Sequence, residues 1–156
     1  ANKVNNLKNK YMVTMNPYLN FPGNTEEAFN FYKSVFGGEF SSLIRFKDTP
    51  EAARIPEEEA GKIMHIALPI GNGNVLMATD ALESMGHKLS IGNNHHLSIN
   101  TESKEEAIKL FNALADGGTV TIPLDNMFWG AFFGMLTDQF AVQWMINYDP
   151  NYQKAN

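Results

Sequence analysis

The chain has 156 residues, of which 44% are hydrophobic and 19% charged, with a formal net charge of −5 and no cysteine. This length corresponds to a single domain with a sizeable core, and the missing cysteines exclude disulfides, thiolate metal sites and cysteine nucleophiles. The acidic balance lacks the basic clusters of nucleic-acid binders, and no apolar run reaches the ~20 residues that span a bilayer.

The first half of the chain has the signals of one strand, one helix and then three more strands. Residues 1–11 are polar and are expected to form a flexible start. A capping-box pattern at Asn24–Glu27 predicts the start of the helix, and Gly37-Gly38 predicts its end. The predicted strands are Met12–Phe21, Glu39–Phe46, Ile63–Ile70 and Val75–Thr79.

Three further segments connect these elements. Lys47–Lys62 has prolines and three consecutive glutamates, which predict a solvated loop that either covers a cleft or reaches a second subunit. Gly71–Asn74 predicts a tight hairpin turn. Asp80–Asn93 is polar and contains glycine, so we expect a linker between two halves of the chain.

The second half repeats the same order of elements. Ser103–Glu106 is a second capping box, and Gly117-Gly118 is expected to end the helix that it begins. The repeated order predicts an internal duplication and an α+β fold of two tandem βαβββ modules. The predicted strands of this half are His95–Asn100, Thr119–Pro123, Phe132–Thr137 and Val142–Asn147.

Several stretches resemble one known family, most specifically those near the C-terminus. Together with the order of elements they resemble the vicinal-oxygen-chelate superfamily, which has the glyoxalase and bleomycin-resistance fold, in its PhnB-like branch. The resemblance extends from about Met12 to Tyr148. The stretches that carry it are Asn16–Asn24, Phe29–Tyr32, His65–Leu68, Met77–Ala81, Met127–Gly134 and Thr137–Asn147.

The resemblance implies a single glyoxalase-like domain over residues 1–156, with module one at about residues 12–81 and module two at about residues 94–148. Its curved mixed sheets would surround a cleft for a small-molecule ligand, and the relatives are commonly homodimers. We expect a cytoplasmic protein without nucleic-acid or membrane partners. One departure is Ala141, which occupies a turn where the family usually has Gly, so that turn is expected to differ slightly.

Strand alternation predicts which side chains face the cleft, because successive side chains point to opposite faces. Phe128 and Trp129 are added because they resemble the family's aromatic pair beside the cleft, where they either stack on a ligand or pack at an interface. The predicted ligand-binding residues are Asn16, Tyr18, His65, Met77, His96, Phe128, Trp129, Phe133 and Met145.

The metalloenzymes of this superfamily place four ligands in the cleft. The resemblance carries those positions to Asn16, to Met77, to Asn94 or His96, and to Met145. Thioether and amide groups are poor ligands for hard divalent ions. We therefore predict no metal ligands and no cofactor, with a divalent metal disfavoured rather than excluded.

Three functions remain open. The first is binding of a small organic molecule in a metal-free cleft. The second is an enzyme of the same superfamily, a lyase, isomerase or dioxygenase-like protein, that uses His65 and Tyr18 as catalytic residues or a divalent metal. The third is a partner-binding module with a filled pocket and an exposed apolar patch. The methyltransferase label of the branch is unsupported, because no Gly-rich loop follows the first strand to hold S-adenosylmethionine.

Overall fold

The computed structural model describes residues 12–151, so the predicted flexible start and the last five residues lie outside the described residues. Both helices have 12 residues, and no helix within this range is long and apolar enough to cross a membrane. The elements are β1 (Tyr18–Phe21), α1 (Thr25–Phe36), β2 (Ser42–Arg45), β3 (Ile63–Pro69), β4 (Val75–Asp80), β5 (Leu97–Asn100), α2 (Lys104–Ala115), β6 (Thr119–Asn126), β7 (Phe132–Thr137) and β8 (Gln143–Tyr148).

Each half of the chain forms its own four-stranded mixed sheet. The strand order is β1-β4-β3-β2 in the first sheet and β5-β8-β7-β6 in the second. In both sheets the first strand of the module pairs with its last strand in parallel, and the other pairs are antiparallel. This shared topology confirms the predicted duplication and the α+β class of two tandem βαβββ modules.

Four strands differ from their predicted bounds by two or more residues. β2 is shorter than predicted at both ends, and β5 begins at Leu97 rather than His95. β1 begins at Tyr18 rather than Met12, because its pairing with β4 starts there and residues 12–15 are exposed. β6 continues beyond Pro123 to Asn126 and pairs with β7 across two register irregularities. Proline lacks the amide proton that a sheet ladder needs, and an irregular edge strand accommodates it.

The acidic segment that follows β2 is more ordered than predicted. Ile55 is buried together with Phe46 and Leu82, and the half-buried Met64 packs against them. The prediction of a solvated loop was therefore wrong for Ile55, which forms a small second core of the first module with Phe46 and Leu82. The segment contains three short 3₁₀ helices, Phe46–Asp48, Pro50–Arg54 and Glu57–Glu59.

The two helices begin in different ways. In α2, Ser103 Oγ accepts a hydrogen bond from Glu106 N at 3.1 Å, as its capping box predicts. In α1, the Asn24 side chain makes no capping bond. Instead Asp80 Oδ1 accepts from Thr25 N at 3.0 Å and from Thr25 Oγ1 at 2.6 Å. The capping box at Asn24 was wrong, because a buried carboxylate at the end of β4 binds the start of the helix.

One continuous core lies between the helices and the two sheets, and both modules contribute to it. Trp144 and Ile146 of β8 are fully buried, whereas Met145 between them is half-buried on the opposite face. This alternation is the predicted one. Tyr32 of α1 packs edge-on against Trp144 with 5.6 Å between the ring centroids, so the first helix contacts the second sheet directly.

Asp138, at the end of β7, connects the modules through a buried carboxylate. Its Oδ2 accepts hydrogen bonds from Tyr32 Oη at 2.7 Å and from Trp144 Nε1 at 2.9 Å. Its Oδ1 accepts from Phe140 N at 2.8 Å and from Val142 N at 3.0 Å. Asp138 therefore closes the turn before β8, and the same side chain also holds α1 against β8.

Ala141 lies in the turn that Asp138 closes, and it has a φ of 67°. The backbone of Ala141 therefore adopts the left-handed conformation, although alanine, unlike glycine, carries a Cβ atom. That conformation costs an L-residue other than glycine about 1–2 kcal/mol. The turn is held closed by the bonds to the Asp138 carboxylate and by the 3.0 Å bond from Ala141 N to Asp138 O.

We expect Tyr32→Phe to lower the free energy of unfolding by about 1–3 kcal/mol, because Asp138 loses a buried donor. Urea denaturation at pH 7 measures this change. The matched control is Tyr148→Phe, since Tyr148 is half-buried and its hydroxyl makes no hydrogen bond with another residue of the described range. An equal effect of both substitutions would contradict the role of Asp138.

The stability difference between the wild type and Tyr32→Phe should also depend on pH. Burial, followed by the charge of Asp138 and its hydrogen bond, raises the pKa of Tyr32 well above the ordinary value of 10.0. Unfolded Tyr32 ionises above that pH while the folded residue keeps its proton, so the stability it contributes falls as the pH rises. The stability difference between the wild type and Tyr32→Phe should shrink above pH 10, and a constant difference would count against this assignment.

We expect Ala141→Gly to raise the free energy of unfolding by about 0.5–1 kcal/mol, because relief of the left-handed strain exceeds the extra entropy of unfolded glycine. Thermal or urea denaturation measures the change. Ala113→Gly in the last turn of α2 is the matched control, and it should lower stability by up to about 1 kcal/mol. Loss of stability in both variants would show that Ala141 is unstrained.

Candidate functional site

The face of each sheet that points away from the helices is not covered by them, and we call these two surfaces the open faces. They follow from the cross-strand register, since registered neighbours share a face. In the first sheet the open face comprises Tyr18, Asn20, Ser42, Ile44, His65, Ala67, Met77 and Thr79. In the second it comprises Ser98, Asn100, Ile122, Asp125, Phe133, Met135, Met145 and Asn147.

The two predicted catalytic residues are in contact on the first open face. Tyr18 Oη lies 3.2 Å from His65 Nδ1, and the two rings stack with 5.8 Å between their centroids. Burial raises the pKa of the Tyr18 phenol, so the phenol is uncharged at neutral pH, and the tautomer of His65 decides which of the two groups donates. Tyr18 lies on the edge strand β1 and His65 on the inner strand β3, so the pair spans the strand β4 between them.

A cavity of about 200 Å³ separates the two modules beside this pair. Its walls come from four parts of the chain: β1 with Pro22, Leu89–Gly92 of the linker, His95 and Leu97 at the start of β5, and the turn into β8. Of the predicted site residues, Tyr18 lines the cavity, and His65 is connected to it through Tyr18.

The two adjacent histidines occupy different positions near this cavity. His95 lines it, and its carbonyl oxygen accepts a hydrogen bond from Gln143 Nε2 at 2.7 Å. His96 is half-buried and is not among the lining residues. The ligand contact predicted for His96 stays a prediction.

Several cavity residues were absent from the predicted site. Strand alternation places Asn20 and Gln143 on the same faces as Tyr18 and Met145 and so predicts that they face the cleft, but they are not among the predicted ligand-binding residues. The linker wall was missed because Leu89–Gly92 lies in a polar segment without periodicity, and nothing in its sequence indicates where it packs.

Three more of the predicted ligand-binding residues, Asn16, Met77 and Met145, have neighbours that the structure defines. Asn16 Oδ1 accepts a hydrogen bond from Val75 N at 2.9 Å, which fixes the start of β4. Met77 is the registered neighbour of Tyr18 on the first open face. Met145 is the registered neighbour of Met135 on the second. The flexible, polarisable side chain of Met77 therefore lies next to the histidine–tyrosine pair, whereas Met145 belongs to the other sheet, and neither methionine lines the cavity.

Three aromatic side chains form a row that extends from the second open face to the β6–β7 loop. Trp129 packs against Phe133 with 5.9 Å between the ring centroids, and Phe128 packs edge-on against Trp129 at 5.0 Å. Phe128 is 98% exposed and Trp129 is 55% exposed. The row is placed to contact a ligand or a second protein surface, and none of its members lines the cavity.

The residues present do not fit the divalent metal of the superfamily's metalloenzymes. Within residues 12–151 no group of three or more His, Asp, Glu or Cys side chains is placed to hold a metal ion. Asn16 is bound to Val75, Asn94 Oδ1 lies 3.0 Å from His95 Nδ1, and Met77 offers only a thioether. The absence of metal ligands at the catalytic position stays a prediction for the protein in solution.

Comparison with known proteins finds a family model, a sequence relative and solved structures that match most of the chain. The sequence matches the family model of the Glyoxalase/Bleomycin resistance protein/Dioxygenase superfamily over residues 14–146. It is 30% identical to Protein YjdN of Escherichia coli (strain K12) over 143 residues, which cover 86% of this chain and 95% of YjdN. The crystal structure of protein PA1353 from Pseudomonas aeruginosa has a TM-score of 0.77 at 40% identity, covering 88% of this chain and 98% of that one. A Bacillus cereus structure described as a putative 3-demethylubiquinone-9 3-methyltransferase, PhnB protein, has a TM-score of 0.69 at 28% identity, covering 87% and 99%.

Proposed function

The chain belongs to the Glyoxalase/Bleomycin resistance protein/Dioxygenase superfamily, and we propose that it binds a small organic molecule, without a metal, in the cavity between its modules. The observation that carries this proposal is the cavity itself, whose walls come from both modules and from the linker. Small-molecule sites are concave and mostly apolar, with a few polar groups that fix orientation. Leu19, Leu97 and Val142 supply apolar wall, and Tyr18 and Gln143 supply hydrogen-bonding groups.

Binding without a metal is favoured by the chemistry of the side chains at the superfamily's ligand positions. Met77 and Met145 are soft thioethers, and Asn16 already accepts a backbone hydrogen bond. Hard divalent ions prefer carboxylate and imidazole donors that converge. None of these three side chains lines the cavity, and their chemistry argues against a metal at the superfamily's positions, which leaves packing and hydrogen bonding to hold the ligand.

An enzymatic function is the second candidate, and the contact between Tyr18 and His65 favours it. A histidine that is hydrogen-bonded to a phenol provides both members of an acid–base pair. Because Tyr18 lines the cavity and His65 lies behind it, a proton could pass between a bound molecule and the imidazole through the phenol. Product formation that His65→Gln abolishes while ligand binding persists would distinguish an enzyme from a binding protein.

We also propose that two copies of the chain associate, as the family resemblance implies. Phe128 and Trp129 are exposed at the β6–β7 loop, and Val120 and Ile122 are exposed on β6 next to it. Association would remove these apolar side chains from water. The cytoplasm is the proposed location.

Methyl transfer, the activity in the description of the Bacillus cereus relative, is not proposed for this chain. Among the described residues, β1 leads into α1 through a turn with the single glycine Gly23. Binding of S-adenosylmethionine by a Gly-rich turn needs several backbone positions without a Cβ atom. The turn after β1 does not provide them.

We expect Gly92→Phe to weaken binding of small organic molecules at least about tenfold, because a phenyl ring at the wall takes up space in the cavity. An added Cβ at Gly92 meets no atom within 4 Å, so the fold should tolerate the change. Gly61→Phe is the matched control, since its added Cβ also meets nothing within 4 Å and it does not line this cavity. A fragment library screened by ligand-observed NMR supplies the probes.

Equal binding by the wild type and Gly92→Phe would place the ligand elsewhere and contradict the proposal. Native mass spectrometry after exposure to Zn, Ni, Mn and Fe(II) tests the other two parts. We expect the mass of a dimer without retained metal. One tightly bound metal per chain would refute metal-free binding, and a monomer would refute the association of two copies.

A further inference from the structure

We infer that the ligand of the inter-module cavity is electrically neutral, an inference that rests on the proposed function. No Lys, Arg, Asp or Glu within residues 12–151 lines this cavity. The chain nevertheless has 12 basic and 17 acidic residues. Their exclusion from the cavity wall is therefore a property of the site and not of the composition.

The other cavities of the same chain differ in this respect. A cavity at the start of α1 is lined by Glu26, Glu58 and Lys62, among others. A third, between the β3–β4 turn and α2, is lined by Glu102 and Glu106. Charged side chains thus reach the surface depressions of this fold readily, and the inter-module cavity is the exception among the cavities described.

The open faces that continue from the cavity are also nearly free of charge. Across the described strands the charged residues are Arg45, Asp80 and Asp125. Arg45 Nη2 donates to Glu26 of α1 at 2.9 Å, and Asp80 binds the start of the same helix. Asp125 lies on β6, the outer strand of the second sheet. A ligand beside β1 and β5 would therefore find no counter-charge from the neighbouring strands.

This arrangement discriminates by the cost of desolvation. An ion that enters the cavity gives up its hydration, and the walls provide no charge of opposite sign to compensate. A neutral molecule gives up less, and the phenol of Tyr18 and the amides of Asn20 and Gln143 offer hydrogen bonds. Burial also raises the pKa of Tyr18, which keeps its phenol uncharged at neutral pH. The favoured class is an uncharged molecule with an apolar body and amide or hydroxyl groups.

Three probes that share a phenyl ring test the inference on the intact protein. They are phenylacetamide, which is neutral, phenylacetate, which is anionic, and phenethylamine, which is cationic. Titrations followed by ¹⁵N–¹H NMR at pH 8, where an ordinary imidazole is neutral, and at physiological ionic strength give their affinities. We expect phenylacetamide to perturb the amides of Asn20, Gly92 and Gln143 and to bind at least about tenfold more tightly than either ion.

The outcomes separate this inference from the proposed function. If phenylacetate or phenethylamine binds at the same amides as tightly as phenylacetamide, the inference is overturned while small-molecule binding stands. If none of the three perturbs the cavity at millimolar concentration, the proposed function fails, and the inference fails with it.

A pair of matched variants tests the cause of the preference. Ser90→Lys adds a positive charge at an exposed position of the cavity wall. Asn112→Lys adds the same charge at an exposed position of α2 outside the cavity. We expect Ser90→Lys to bind phenylacetate at least as tightly as phenylacetamide, and Asn112→Lys to keep the order of the wild type. An unchanged order in Ser90→Lys would show that the missing charge does not set the preference.

Discussion

The buried carboxylate of Asp138 is the contact on which the arrangement of the two modules depends. One oxygen closes the turn before β8, and the other accepts hydrogen bonds from Tyr32 of α1 and from Trp144 of β8. Because a buried carboxylate is stable only with its donors in place, the helix, the turn and the strand are fixed together. The same turn supplies Phe140–Gln143 to the cavity wall. A charge outside the cavity therefore helps to set the shape of the cavity.

The fold keeps its buried charges on the helix side of the sheets. Asp80 accepts hydrogen bonds from Thr25 and from Ile63 N, and Asp138 likewise has neutral donors. Both carboxylates are satisfied by hydrogen bonds and neither pairs with a cation, so their charge is compensated locally. Apart from Asp125 on β6, the two open faces then consist of uncharged side chains, and the tyrosine–histidine pair is found on the first of them.

The sequence predicts the parts of this protein that depend on local pattern. The strand Phe132–Thr137 and the helix end at Gly37 agree with the structure, because alternation and glycine caps are local signals. Outcomes that depend on distant partners were missed: Asp80 replaces the Asn24 cap, and Ile55 is buried in a cluster that includes the distant Leu82. For the site, the sequence selects Tyr18 and His65 as candidates, but it contains no information on their contact or on the linker that completes the cavity wall.

The small second core gives the protein two levels of cooperativity. Phe46, Ile55 and Leu82 are buried in a cluster separate from the one between the helices and sheets. Residues 46–62 can accordingly open by breaking that cluster alone, at a lower free energy than global unfolding. Their amide hydrogens should exchange with solvent through this partial opening, whereas the amide hydrogens of β3 and β8 should exchange only through global unfolding. A protease that samples the native state would meet this segment first.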